Sequence, residues 1–323
     1  MSERKPNILV VGSFVLDQIV ETAVIPDEGE TVLGRNFKVA PGGKGANQAV
    51  QMARLGANVT MIGKVGNDPN GKILLNACSN SGVDISHVVV DKSISSGCAI
   101  ITLLDDGNGG VNNRIIVIPG SNHSICAEDV AFLENNIAKF DMVLLQLEIP
   151  MEINEIVADY AAKANVPVML NPAPSAKIPE KLLKSVSYIS PNETEAVSIT
   201  NVPKLSDDNN ICLDNLSKCA RELQKMGVDN VIITLGGNGA FFMGKDEQFV
   251  VPAVSCVNVV DPTAAGDSFV GSFCYAKCTG KGNKEAIEFA NSVASITVSR
   301  MGAMPSLPNR EEVSTLFKIA DEW

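Results

Sequence analysis

From residue 127 onward the sequence alternates between short apolar runs and longer amphipathic ones, and this alternation constrains the fold more than any other feature. Helix-like segments at 127–139, 151–164, 179–185, 192–199 and 211–226 are interleaved with the strand-like runs MVLLQL (142–147), PVMLN (167–171), SYIS (187–190) and NVIITL (230–235). Two short strands follow at 240–251, and helices are expected to begin near 267, 283 and 310. The N-terminal part behaves similarly. NILVV (7–11) reads as a buried strand bounded by Gly12, and GANQAVQMARLGA (45–57) as a helix with Val50, Ala53 and Ala57 at helical spacing and Gly56 as its stop. VTMIGKVG (59–66) returns to strand, and NGKILLNACSNSG (70–82) is helical and ends in Gly. Strands alternating with helices of this length predict an α/β fold: three layers, α/β/α, around a mostly parallel central sheet.

Two β-rich excursions do not fit a helix layer. One spans 13–40, with FVLDQIV and ETVLGRNFKVA as short strands; the other spans 85–118, with DDGNGG (105–110) as its turn. They are expected to form a small protruding β-sheet, a lid. No 20–50-residue period and no low-complexity linker divides the chain, so residues 1–323 are expected to form a single domain.

A net charge of −11 argues against a nucleic-acid or anionic-membrane binder, because phosphate binding needs excess Lys and Arg. Any phosphate must be handled locally, by backbone N–H groups, a few cationic side chains and metal ions. The N-terminus has no secretory pattern and no apolar run reaches the length of a membrane span, so no membrane partner is expected. The eight cysteines are scattered without a C-x-x-C pair, which suits reduced thiols in a cytoplasm. With only His87 and His123, zinc-hydrolase and Ser-His-Asp chemistries have little to stand on.

In a sheet of this kind, ligands bind where strand C-terminal ends feed Gly-rich turns. That rule selects GSFVLD (12–17), PGGKGAN (41–47), QLEIP (146–150), NPAP (171–174), SPNETE (190–195), TLGGNGA (234–240) and DPTAAGD (261–267). Lys44 is followed by Gly45 rather than Ser or Thr, so there is no P-loop, and neither GGKGAN nor GGNGAF completes a dinucleotide fingerprint. Each stretch has a bland reading beside a functional one. Gly42 and Gly43 make a strand-to-helix turn, or place Lys44 and Asn47 at a helix start to meet sugar hydroxyls. Asn192 with Glu195 is a capping-box variant, or Glu195 organises Mg²⁺. TLGGNGA is a hairpin turn, or a smooth platform for a nucleotide. Asp267 is a helix N-cap, or a base at a helix mouth kept small by Ala264, Ala265 and Gly266.

The ordered set of motifs resembles the PfkB-type carbohydrate kinases, the ribokinase-like superfamily, and within it the ribokinases. GGKGANQAV (42–50), NPAP, PNETEA (191–196), TLGGNGA and TAAGDSFVG (263–271) carry the resemblance, which runs from residue 12 to 306. It implies an enzyme that transfers the γ-phosphoryl of ATP to O5 of D-ribose, with Mg²⁺ and a K⁺ activator. Position by position, it implies that Asp17, Gly43, Lys44, Asn47 and Glu148, with their neighbours Val15, Leu16, Gly45 and Ala46, hold the sugar. Asn192, Thr234, Leu235, Gly236, Gly237, Asn238, Gly239 and Asn291 would contact ATP, and Glu195 would act through Mg²⁺. Backbone N–H groups of Ala264, Ala265 and Gly266 would meet the transferring phosphoryl, with Asp267 as the base. Asp261, Thr263, Thr297, Arg300, Gly302 and Ser306 would form a monovalent-cation site. The physical logic agrees: phosphoryl transfer needs an aligned hydroxyl and converging donors, and a helix N-terminus of small residues supplies them.

Two positions depart from the pattern. Val15 stands where some ribokinases carry an Asn that touches the sugar, and Asn291 where some relatives carry a base-contacting His. The rivals are a kinase for deoxyribose, a ketohexose or a nucleoside, and a catalytically silent sugar- or nucleotide-binding regulator on the same fold. Intact Lys44, Glu195 and Asp267 argue against the silent form. The resemblance also implies a homodimer paired through the small sheet, since exposed strand edges seek partners.

Overall fold

The computed structural model describes residues 4–105, 111–203, 205–207, 210–254 and 258–317. Its apolar runs assemble into a nine-stranded sheet. In spatial order the strands are Gln248–Val251, Ala240–Met243, Asn230–Thr234, Tyr188–Ile189, Val168–Asn171, Met142–Gln146, Asn7–Val11, Asn58–Ile62 and Val83–Asp84. All pairings from Asn230–Thr234 to Val83–Asp84 are parallel, and only the final hairpin edge is antiparallel.

The two-residue side-chain period of a strand divides the core. Ile8, Val10, Met142 and Leu144 join one apolar cluster with Ala46, Val50, Phe269 and Ile287. Leu9, Val11, Val143 and Leu145 join another with Ile153, Val157 and Leu216. Helices Lys44–Leu55, Ala265–Cys278 and Asn283–Val298 therefore cover one face, and Met151–Lys163 and Leu213–Lys225 the other. These are the three layers that the alternation predicts.

A separate four-stranded sheet runs in the order Asn36–Gly42, Val15–Thr22, Gly97–Asp105, Val111–Ile118. Its two central strands are parallel and its outer pairings antiparallel. The chain leaves the main sheet after Val11, enters the small one at Val15, and returns through Gly42 into the helix Lys44–Leu55. Both crossings sit at the carboxyl edge of the parallel strands.

Several local expectations are corrected. The segment 127–139 is one α-turn, Ala127–Val130, followed by 3₁₀ turns Ala131–Asn135 and Ile137–Lys139. Val130, Leu133 and Ile137 are buried at helix-like spacing, but the Asn136 side chain donates to the Phe132 carbonyl at 2.9 Å and competes with the helical ladder. The helix expected at 179–185 is only Glu180–Leu183. The strand 59–66 splits at Gly63: Lys64–Gly66 leaves the main sheet and pairs with Val89–Asp91 instead. A Cβ on Gly63 would lie 2.5 Å from the Gly12 carbonyl oxygen. Residues 85–96 are thus outside the four-stranded sheet, and ETVLGRNFKVA becomes strand only from Asn36. The helix Lys44–Leu55 ends two residues short of Ala57, at Gly56, the stop expected from sequence, which is a left-handed cap at φ 111°. The turn residues 106–110 lie outside the described residues.

Candidate active site

The glycines of GGKGAN are set by close packing. Gly43 has φ +93°, and its missing Cβ would lie 2.6 Å from the Val15 backbone nitrogen. A Cβ on Gly45 would lie 2.6 Å from the Ser13 nitrogen and 2.8 Å from the Gly12 carbonyl carbon. The start of the helix Lys44–Leu55 therefore lies directly against the turn 12–15. Asn122 pins that turn from the other side, accepting from the Phe14 N–H at 2.8 Å and donating to its carbonyl at 2.7 Å. Ser13 Oγ donates to Glu148 Oε2, and the Lys44 N–H donates to the same oxygen at 2.9 Å. Asp17, on the first strand of the small sheet, points its carboxylate at Gly42.

Asp267 is not a cap. The helix Ala265–Cys278 starts from Ala264, a non-glycine in the left-handed region at φ 60°, and no side chain caps it. Asp267 is its third residue, buried, with its carboxylate turned inward. Asn47 Nδ2 donates to Oδ2 at 2.9 Å, and Gln48 Nε2 donates to Oδ1 at 2.8 Å. Two helix N-termini thus face each other across one carboxylate. The Ala265 N–H donates to the Pro262 carbonyl at 3.2 Å, whereas the N–H groups of Gly266 and Asp267 make no such backbone bond. A side chain at Gly266 would meet nothing within 4 Å. The small residues leave these donors open.

Charge is concentrated here. Burial pushes the Asp17 carboxyl up to about 7, reinforced by the nearby Glu148 and Asp267. Burial also acts against the Lys44 ammonium, but Asp267, Glu148 and Glu195 together outweigh it and strengthen its hold on the proton. Three carboxylates around one lysine, with Asp17 beside two of them, can hold polar hydroxyls and accept a proton, and the lysine offsets their repulsion.

On the far side of Lys44, the capping-box reading of Asn192 and Glu195 is realised. The Glu195 N–H donates to Asn192 Oδ1 at 2.8 Å, and the Asn192 N–H donates to Glu195 Oε2 at 2.9 Å. Burial raises Glu195 above the usual carboxylate range, with the Asn192 N–H and Lys44 working against that rise. TLGGNGA is a hairpin between Asn230–Thr234 and Ala240–Met243, with a 3₁₀ turn at Gly236–Asn238. Cβ atoms on Gly236 or Gly237 would meet nothing, whereas one on Gly239 would collide with the Val251 carbonyl. The amide of Asn291 donates to the Val251 and Pro252 carbonyls at 3.3 and 3.0 Å, tying the hairpin to the helix Asn283–Val298.

The segments 261–263 and 297–306 meet. Asp261 Oδ1 accepts from the Thr263 N–H at 2.9 Å, and Oδ2 from the Gly302 N–H at 2.8 Å. Burial raises Asp261, but these hydrogen bonds more than offset it and leave it below the usual carboxylate range. Three side chains assigned here point elsewhere. Thr297 Oγ1 donates to Ser268 Oγ, Arg300 pairs with Glu312 at 2.7 Å, and Ser306 Oγ donates to the Ala303 carbonyl. Among the described residues no cluster of three His, Cys, Asp or Glu side chains is arranged to hold a metal.

Sequence reasoning assigned no role to Ser13, Gln48, Asn122, Gln146 or Asn171, all of which brace the site. Ser13, Gln146 and Asn171 lie inside the turns selected from sequence and Gln48 inside GGKGANQAV, whereas Asn122 carries no sequence signal of its own.

A model of the pfkB family carbohydrate kinase matches residues 5–310. The chain is 36% identical to the ribokinase of Haemophilus influenzae over 316 residues, covering 98% of this chain and 100% of that protein. It is 36% identical to the ribokinase of Schizosaccharomyces pombe, covering 97% and 98%. Among solved structures, the ribokinase of Arabidopsis thaliana complexed with ribose and ATP superimposes with a TM-score of 0.89 at 33% identity, covering 98% of this chain and all of the other.

Proposed function

The chain belongs to the pfkB family of carbohydrate kinases, and we propose that it transfers the γ-phosphoryl of ATP to O5 of D-ribose, giving D-ribose 5-phosphate and ADP. The observation that carries this reading is the buried Asp267 carboxylate, set at the mouth of a small-residue helix and facing Asn47, Lys44 and Asp17. Asp17, Asn47, Lys44 and Glu148 hold the sugar. Asn47 Oδ1 is buried without a partner among the described residues, a position suited to accept from a sugar hydroxyl.

Asp267 takes the O5 proton, O5 forms a bond to the γ-phosphorus, and the bond to the β,γ-bridging oxygen breaks, leaving its electrons on ADP. The N–H groups of Gly266 and Asp267 meet the charge developing on the phosphoryl oxygens, where one positioned donor is worth about 2.7–4 kcal/mol. Ala265 contributes less than sequence reasoning expects, because its N–H is drawn to Pro262. Thr234 and the open face of Gly236–Asn238 receive the nucleotide, flanked by Asn192, Gly239 and Asn291.

Glu195, one of the carboxylates around Lys44, belongs to no cluster of three metal-ligating side chains among the described residues, which fits a Mg²⁺ held mainly by ATP phosphates and touched through water. When bound, that ion neutralises phosphate charge. Asp261 stays ionised, with no lysine or arginine paired to it among the described residues, which fits a monovalent cation; the N–H groups of Thr263 and Gly302 donate to its carboxylate, and its own N–H donates to the Val298 carbonyl. Bound there, K⁺ would stiffen the loop leading to Ala264.

The small sheet exposes Phe37, Val39, Ile115, Ile116 and Val117, which supports pairing of two copies through it. Sedimentation of the purified chain tests this. Seven described cysteines are free thiols, which supports a reducing cytoplasm. Coupled ADP release across pentoses, hexoses and nucleosides tests the reaction itself. Ribose should give the highest kcat/KM, and a nucleoside or hexose in first place would overturn the reading.

A further inference from the structure

Gln48 is fully buried, and every polar atom of its side chain is committed. Its Nε2 donates to Asp267 Oδ1 at 2.8 Å and to Asn171 Oδ1 at 3.1 Å, while its Oε1 accepts from Gln146 Nε2 at 2.6 Å. Asn171 spends its own amide on the Ser190 carbonyl at 2.9 Å, so only its oxygen is left to face Gln48. The Gln146 backbone carbonyl is held in turn by Asn154 Nδ2 at 2.9 Å. A reversed Gln48 amide would set its oxygen against two other oxygens and its nitrogen against the Gln146 nitrogen. One orientation is therefore enforced from two strands of the main sheet and from Asp267.

We propose that Gln48 is a positioning residue for the base: held by Gln146 and Asn171, its amide fixes Asp267 Oδ1 and aims the carboxylate at the sugar hydroxyl. This rests on the kinase reading above. Asn47 Nδ2 holds Oδ2 in the same way, but Asn47 also faces the sugar, whereas Gln48 lies behind the carboxylate. Removing a hydrogen bond donated to a carboxylate disfavours the charged form, which makes a pH profile the readout of this contact. Lys44 on the same helix, Asp17 on the small sheet and Glu195 on the helix Glu193–Thr200 act on Asp267 through their charge, with Glu148 beside Asp17 and Lys44.

The test is Gln48→Met, measured for kcat, for both KM values and for the pH dependence of kcat. With ribose saturating, kcat reports groups of the bound complex and so separates Asp267 from the binding role of Asp17. The expected result is a kcat lowered about tenfold or more, both KM values within about threefold, and an acid limb moved up by about one pH unit. Lower thermal stability with kcat within about threefold of wild type and the acid limb in place would overturn the proposal. Gln48→Glu keeps the shape and an acceptor for Gln146 Nε2, and it covers the case in which the Met variant does not fold. Its acid limb should also move up, because a second carboxylate then faces Asp267; an unmoved limb would overturn the proposal equally. Wild-type turnover of ribose with ATP, run alongside, tests the parent reading separately. Its absence would sink the kinase assignment whatever the Gln48 variants do.

Discussion

Asn47 and Asp267, 220 residues apart in sequence, meet where the Asn47 side-chain amide donates to Asp267 Oδ2 at 2.9 Å. The contact joins the N-termini of two helices that pack on the same face of the main sheet. One carries Lys44, proposed to hold the sugar, and the other the N–H groups proposed to meet the phosphoryl. A base held between them would be within reach of both reactants, with alignment coming from helix packing and not from a flexible loop.

Asp267→Asn should therefore remove turnover and spare binding. It keeps the shape and loses the proton acceptor, and a positioned general base contributes roughly 10²–10⁴-fold. Titration calorimetry with ribose and with ATP should give affinities near those of the wild type. A variant retaining more than about a tenth of wild-type kcat would show that the carboxylate is not the base.

The GGKGAN glycines should matter for folding before they matter for chemistry. In Gly45→Ala the new methyl meets backbone atoms of Ser13 and Gly12 that cannot rotate away. Overpacking of this kind costs about 1–3 kcal/mol. Gly237→Ala, whose methyl meets nothing, should unfold at the wild-type urea concentration. Equal midpoints for the two variants would refute the packing account.

Asp17 should titrate where it matters for the sugar. Burial raises its folded-state carboxyl to about 7, above its unfolded value near 4, with Glu148 and Asp267 adding to the rise. Between those values the folded chain binds the extra proton, so Asp17's contribution to stability falls as pH rises through this window. The ionised form is the better acceptor for sugar hydroxyls, so KM for ribose should fall across the same window. Asp17→Asn should melt higher than wild type at pH 8 yet bind ribose more weakly. A KM for ribose that stays flat from pH 5.5 to 8 would refute this role.

The fold was largely legible because a parallel sheet needs apolar runs at every strand, and those runs are visible one by one. What was not legible depended on tertiary contact. Val130, Leu133 and Ile137 carry a helical period because all three are buried, yet the backbone between them is 3₁₀. Gly63 sits inside a strand-like run and ends it because Gly12 lies against it. Within the site, Asp267 reads in local sequence as a cap or as a base at a helix mouth, and only the structure puts it at the third helical residue. Gln48 looks like one more polar residue on an amphipathic helix until Asp267, 219 residues away, is placed against it.

Position 15 should tune the choice between ribose and 2-deoxyribose. Val15 is buried two residues before Asp17 on the same strand, so both side chains share a face of the small sheet. A site built to hydrogen-bond a hydroxyl penalises an analogue lacking it, and a valine cannot take part. Val15→Asn should widen the ratio of kcat/KM for the two sugars in favour of ribose. The same ratio in both proteins would show that this position does not read the sugar.

Activity should rise with K⁺ and much less with Na⁺. Asp261 ties two segments together through the N–H groups of Thr263 and Gly302, and among the described residues no cationic side chain pairs with its charge. Arg300, which the resemblance places at this site, is turned to Glu312, so only its backbone is available. A cage of carbonyl oxygens with one carboxylate suits a large, weakly hydrated cation. The loop it would brace runs through Pro262 to Ala264, whose left-handed backbone sets the direction of the N–H groups that follow. Bracing that loop preorganises donors for the transition state, so the response should appear in kcat more than in either KM. Titrating KCl against NaCl at constant ionic strength, in a buffer free of both, measures it. Asp261→Ala should abolish the K⁺ response and leave residual cation-independent turnover, whereas Asp267→Asn removes turnover under every salt. A flat response to K⁺ in the wild type, or an effect confined to ribose affinity, would refute a cation acting through this loop.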